Sequence, residues 1–241
     1  MYNLLISLAI GVAVTLALVL GTNLGAVAAI FPGLLAAAVA YFVLARRTFK
    51  RVEAIFEAVQ REAQAQKIDK AVQTLQGGFA LARWQFLVGS QLHAQIGMLL
   101  YIRQDVDGAL PHLEKSFSRH WIARGMLGAA RYRKRDVAGA TRILEDAVKV
   151  NKKEGVLWSV YAWILEKESR HDDAIRVLGR GAAANPSDEK LKAGLQALQN
   201  GKKLKLGKVY QEQWFQFRLE DPPPQFVGGG FRGGRRVIYR G

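Results

Sequence analysis

The chain has 241 residues, 35 Lys/Arg against 20 Asp/Glu, a net charge of +15 and a hydrophobic share of one half. It has no cysteine, which excludes disulfides, thiolate nucleophiles and cysteine-ligated zinc or iron–sulfur clusters. The positive balance points to an acidic counterpart (anionic lipid, nucleic acid or an acidic protein face) or to solubility and membrane orientation.

The charge is unevenly placed. Residues 1–45 carry no Asp, Glu, Lys, Arg or His, and the first charge is Arg46. A helix needs ~20 residues to cross ~30 Å of hydrocarbon, so this stretch fits two spans. Tyr2 to Leu20 and Leu24 to Ala45 are the expected helices, with Gly21-Thr22-Asn23 as the turn. Lipid offers no partner for free backbone groups, so both must be helical. Pro32 should kink the second helix or loosen its first turns. The small-residue pairs Ser7/Gly11, Gly25/Ala29 and Ala36/Ala40 would allow close helix approach, unless they only reflect how common such residues are in spans. A cleaved signal peptide competes with this reading. Against it, Met1-Tyr2-Asn3 has no basic side chain; for it, Ala26-Val27-Ala28-Ala29 resembles a cleavage site.

Arg46, Arg47, Lys50 and Arg51 come directly after the second apolar segment. Basic residues beside a span stay cytoplasmic, so both termini and the bulk of an integral membrane protein are expected there. The same four residues form a lipid-facing cluster, at ~1 kcal/mol each with anionic head groups.

Downstream, the chain repeats itself. Asp105-Val106-Asp107-Gly108-Ala109 returns as Asp136-Val137-Ala138-Gly139-Ala140, and then comes Asp172-Asp173-Ala174. Twelve residues before each alanine stands a small residue (Gly97, Gly128, Ala162), four after it a leucine (Leu113, Leu144, Leu178), and seven after it another small residue (Ser116, Ala147, Gly181). This is the pattern of an antiparallel helical hairpin: small residues at the crossing, large apolar ones between, and Asp and Gly at the turn.

The pattern resembles the tetratricopeptide repeat (TPR) family. Trp158, Tyr161, Ala162, Leu165, Ala174, Leu178, Gly181 and Pro186 fill its signature positions. The unit from His93 to Ser116 matches it well; the middle unit departs, with Arg124 and Arg131 where large apolar groups are usual. A degenerate earlier unit from Ile55 to Gly78, with Ala71 and Leu75 on its second helix, competes with a simple cap or stalk, because its first helix is polar and the 38-residue step from Ala71 to Ala109 breaks the period. The implied fold is all-α, a short TPR-like α-solenoid behind a transmembrane hairpin. The expected organisation is 1–46 as two membrane helices, 47–87 as a juxtamembrane helix and degenerate repeat, 88–201 as repeats with the capping helix Lys190–Gln199, and 202–241 as a basic, disordered tail.

The resemblance implies a partner peptide or helix lying against the first helices of the hairpins. The positions carried over are Met98, Tyr101 and Ile102, then Ala129, Tyr132 and Arg133, then Ser159, Trp163, Glu166 and Lys167. Met98, Tyr101, Tyr132, Arg133, Trp163 and Lys167 are the candidate binding set, although the aromatics would serve equally as packing between hairpins. Met98, Ala129 and Trp163 stand where the family's carboxylate clamp has asparagine, which argues against a grip on chaperone tails.

In the tail, Gln213-Trp214-Phe215-Gln216-Phe217 is an alternating apolar patch able to dock on the solenoid or on a partner's sheet edge. Gly228 to Arg236, with Arg232, Arg235 and Arg236, resembles short single-strand-binding segments. Its G-x-G-x-x-G is read with neither a strand before it nor a helix after it, which argues against a dinucleotide loop. No catalytic constellation stands out among the scattered His93, His112, His120 and His171; His171 lies in a turn that Asp172 and Asp173 would cap. The reading is a non-enzymatic, membrane-anchored scaffold with no cofactor or metal. The alternative is a tether binding nucleic acid or anionic lipid through the tail.

Overall fold

The structure is a computed structural model that describes residues 1–22 and 25–223. It is all-helical among the described residues and divides into two compact units, Met1–Leu92 and His93–Gly241.

The first unit begins with α1 (Tyr2–Gly21) and α2 (Ala26–Gln64), packed as an antiparallel pair. Both are long and apolar enough to cross a membrane. Their outward faces are apolar and exposed (Leu16 54 %, Phe31 73 %, Leu35 66 %, Phe42 64 %), unlike helices buried in a soluble core. Asn3, Ser7 and Gly11 form the buried stripe of α1, facing Ala29, Gly33, Ala45 and Thr48 of α2. The contact is set by backbone proximity. A Cβ on Gly11 would lie 2.8 Å from the Gly33 carbonyl oxygen, and one on Gly33 would lie 2.8 Å from that of Gly11. Of the expected small-residue pairs, Ser7/Gly11 packs in this seam, Gly25 faces open space, and Ala36 and Ala40 are half-buried.

At 39 residues, α2 is about 58 Å long, twice what a span requires. It runs through Pro32 in its second turn, where the missing N–H removes a single intrahelical bond. The apolar stretch and the basic stretch after it are therefore one helix. That helix ends at Gln64, and α3 (Ile68–Gly77) folds back on it. Ala71 and Leu75 are fully buried, and Gln66 takes φ +58 five residues before Ala71. The short α4 (Phe79–Ala82) and the start of α5 (Val88–Ile102) complete the unit.

The second unit stacks hairpins: the end of α5 with α6 (Val106–Glu114), α7 (Trp121–Arg133) with α8 (Val137–Val150), and α9 (Gly155–Lys167) with α10 (His171–Ala184). The helix α11 (Glu189–Gln199) covers the last of them. At each crossing, glycine meets a large side chain. A Cβ on Gly97 would fall 2.8 Å from Leu113, on Gly128 2.6 Å from Leu144, and on Gly181 2.8 Å from Trp158. Asp105 and Asp136 cap α6 and α8 by accepting from Gly108 N and Gly139 N at 2.9 and 2.8 Å. In the third hairpin that cap is absent. Asp173 pairs instead with Arg170 and Arg176, and His171 Nδ1 bonds Glu166 Oε2 at 2.8 Å. Gln104, Arg135 and Ser169 all stand in the left-handed region, each five residues before the buried alanine of its hairpin. This is the place Gln66 holds before Ala71, so the turn between α2 and α3 shares the repeat's geometry. Of the two arginines in the middle unit, Arg131 is held by Glu114 and Asp136, which accounts for a charge where the pattern has an apolar group.

His93 and His112 close the first of these hairpins, Nδ1 to Nδ1 at 3.0 Å. One ring must donate and the other accept, so the bond requires at least one neutral imidazole. Burial is the first cause that lowers both pKa values; His112 and Lys115 add to it for His93, and Lys115 for His112. Because the folded values lie below the unfolded ones, the stability they contribute is present above pH ~6.5 and is lost as pH falls through the folded values. Thermal unfolding followed by circular dichroism should show a lower midpoint at pH 5 than at pH 7.5. The shift should shrink in a His112→Gln variant.

Candidate functional site

Beyond α11 the chain turns at Gly201 (φ +64) and forms two short helices, α12 (Leu206–Tyr210) and α13 (Glu212–Phe215). Gln211, at φ +50, separates them. Gly207 lets them fold together, since a Cβ there would meet the Phe215 ring at 2.9 Å. Leu206, Tyr210, Trp214 and Phe217 are buried and recur every three to four residues, so this is a helical stripe. The period-two alternation read in residues 213–217 gives way to it. Pro222 and Pro223 lie beyond it in irregular backbone.

This segment occupies the face lined by α5, α7 and α9. The Trp214 ring stands edge-on to Trp163 with centroids 5.7 Å apart, and Trp163 in turn is edge-on to Tyr132 at 6.0 Å. Phe217 lies 6.5 Å from Trp121 and fills the space left by Gly125, where a Cβ would be 2.6 Å from its ring. The Tyr101 hydroxyl donates to the Phe217 carbonyl at 2.7 Å, and Arg218 donates to the Ile102 carbonyl at 2.8 Å. Glu220 accepts from both indoles, Trp163 Nε1 at 3.2 Å and Trp214 Nε1 at 2.7 Å. Ser159 and Tyr210 share a hydrogen bond at 3.1 Å. Trp214 and Phe217 are fully buried. Burial pushes the Tyr101 and Tyr210 hydroxyls up to about 12.

The structure thus brings together most of the candidate binding set and covers it with residues 206–220. Tyr101 and Trp163 lie beneath the segment, at 0 % and 6 % exposure. Tyr132 is half-buried against Trp163. Arg133 reaches over the Tyr101 ring at 5.8 Å and Lys167 over Trp163 at 5.0 Å, both from the exposed rim. Ala129 and Ser159 are buried, and Met98 is half-buried in α5. Sequence reasoning did not nominate Gly125, Ser159's partner Tyr210, or Glu220. The glycine in the first turns of α7 was the available signal, because nothing in a hairpin crossing requires it. Arg46, Arg47, Lys50 and Arg51 are exposed on α2 in the other unit. Arg232, Arg235 and Arg236 lie outside the described residues.

Among the described residues no group of three or more His, Cys, Asp or Glu could hold a metal ion. The arrangement is one of aromatic stacking and hydrogen bonding, suited to holding a peptide.

No family model matches the chain, and no curated protein is significantly similar to it. Solved structures do match. One is the crystal structure of MamA, at a TM-score of 0.47 and 14% identity, over 66% of this chain and 92% of that one. The fold of the second unit is an all-helical stack of antiparallel hairpins among the described residues.

Proposed function

We propose that this chain is a membrane-anchored scaffold whose TPR-like face holds an aromatic and acidic peptide segment of another protein at the cytoplasmic side of a membrane. The observation that carries this reading is that the face already holds a peptide of that chemistry, residues 206–220 of the same chain. The resident segment displays the chemistry the face selects: aromatic anchors at positions 210, 214 and 217 and a carboxylate at 220. The rim cations Arg133 and Lys167 favour an acidic partner. The outward apolar faces of α1 and α2 support anchoring, and Arg46, Arg47, Lys50 and Arg51 support a cytoplasmic placement of the helical repeats. No catalytic role is assigned to any residue.

The resident segment is tethered by residues 201–205, so it competes at an effective concentration of order millimolar. A partner must match its anchors to replace it. A labelled peptide of residues 206–221 should therefore bind the full-length Trp214→Ala/Phe217→Ala variant at least about a hundredfold more tightly than the wild type. Anisotropy in detergent measures this, with helicity checked on the same sample. A variant that keeps its helices and still refuses the peptide would overturn the assignment. Purified protein that carries only nucleic acid, released by salt, would move the function to the basic tail.

A further inference from the structure

The geometry points to an anionic-phospholipid site at the membrane boundary, formed by the turn after α4 together with the first residues of α1; it rests on the membrane-anchor part of the proposed function. The first backbone N–H groups of any helix lack intrahelical acceptors. For α1 they are met by a distant segment: Tyr2 N donates to the Arg83 carbonyl at 3.0 Å and Asn3 N to the Trp84 carbonyl at 3.2 Å. The N-terminal amino group also donates to the Arg83 carbonyl. Side chains complete the clamp. Asn3 Nδ2 donates to Thr48 Oγ1 at 2.9 Å and to Gln85 Oε1 at 3.1 Å, and Gln85 Nε2 donates to the Tyr41 hydroxyl at 2.9 Å. Residues 83–85 are thus fixed where α1 begins and where α2 passes from apolar to basic sequence. In a membrane, that level is the head-group region.

The clamp determines which groups the turn presents. Trp84 is 40 % exposed and Phe86 58 %, while Gln85 between them is buried. Tyr2 stands edge-on to Trp84, with ring centroids 5.3 Å apart. Tyr2, Phe79, Ala80, Arg83 and Trp84 line an open cleft of about 530 Å³. Indole and phenol rings with a polar edge settle at the membrane–water boundary, and a neighbouring guanidinium holds a phosphodiester by paired hydrogen bonds. The surroundings favour negative charge in the occupant. The sequence has no Asp or Glu in residues 1–52 or 70–104, and Arg46, Arg47 and Lys50 border a second cleft on α2, with Phe42 and Val43. The occupant that satisfies aromatic walls, a guanidinium rim and this depth is a phospholipid with a net negative head group.

The test reconstitutes the full-length chain into vesicles of phosphatidylcholine with spin-labelled phosphatidylglycerol or spin-labelled phosphatidylcholine as tracer. Paramagnetic resonance then reads the motionally restricted fraction of each tracer. The wild type should prefer phosphatidylglycerol, and Arg83→Gln should reduce that preference about fivefold, the factor for ~1 kcal/mol per basic residue. Arg61→Gln, near the far end of α2, should leave it unchanged. Equal selectivity in wild type and Arg83→Gln, or equal loss in Arg61→Gln, would overturn the site while leaving the anchor intact. Failure of the chain to float with vesicles would instead overturn the anchor itself.

Discussion

Replacing Trp214 by alanine should weaken the packing of residues 206–220 on the second unit by about 3–5 kcal/mol, as large-to-small changes of a fully buried aromatic do. Trp214 has no exposed surface. Its loss removes the edge-on contact with Trp163 and one of the two indole N–H groups that Glu220 accepts. The cavity would lie between residues 206–220 and the hairpins, so two outcomes are distinguishable. If the segment only covers a solenoid stable by itself, the variant keeps its helices and exposes Tyr101 and Trp163. If the segment is needed for the hairpins to stay stacked, the helical signal falls with the cover. Denaturant unfolding followed at once by tryptophan fluorescence and by far-ultraviolet circular dichroism separates these. We expect the fluorescence transition to move to lower denaturant ahead of the helical one, because the crossings at Gly97, Gly128 and Gly181 do not involve the segment. Glu220→Gln is the milder companion. It keeps the shape and an acceptor oxygen while removing the charge, and should weaken cover of the face by about 1 kcal/mol.

The same contrast explains which features could be read in the sequence. The hairpins were legible because their determinants are local and recur. Gly97 and Gly128 each make room for a leucine sixteen residues later, Gly181 makes room for Trp158 of the preceding helix, and Asp105 and Asp136 each cap the next helix. The third hairpin kept the spacing after losing the cap, so spacing identified it and the turn chemistry misled. The continuity of α2 was harder to see, because the change from apolar to basic composition at Arg46 looks like a boundary while the backbone has no reason to stop there. Cover of the candidate face was not legible. Tyr210, Trp214 and Phe217 have the spacing of an apolar helix stripe, but their partners lie far back in the chain, as far as the 116 residues between Tyr101 and Phe217, and no short-range pattern connects them. The clamp joining Asn3, Thr48, Tyr41 and Gln85 is hidden for the same reason: each residue alone is an ordinary polar side chain.

A second large effect is expected at Gly33. Replacement by leucine should separate α1 from α2, since the new Cβ would fall 1.9 Å from Thr15 Oγ1 and 2.8 Å from the Gly11 carbonyl oxygen. The threonine can rotate, giving up its bond to that same carbonyl, but the backbone oxygen has nowhere to go within a helix. The cost should exceed the ~1–3 kcal/mol of ordinary overpacking. Gly25→Leu is the control, because nothing lies within 4 Å of its position. The chain has no native cysteine, so a thiol placed at buried Ser7 reports the seam directly. In detergent, maleimide should modify it slowly in the parent and at least about tenfold faster with Gly33→Leu, each ~1.4 kcal/mol of opening being a factor of ten. The change should propagate along the pair. Asn3 reaches Thr48 and Gln85 only while the helices touch, so a splayed hairpin also releases residues 83–85 and leaves the first N–H groups of α1 without acceptors. Equal labelling rates in the two glycine variants would mean that the pair is held by the polar clamp at its end, and the close backbone approach would then be a consequence of that clamp.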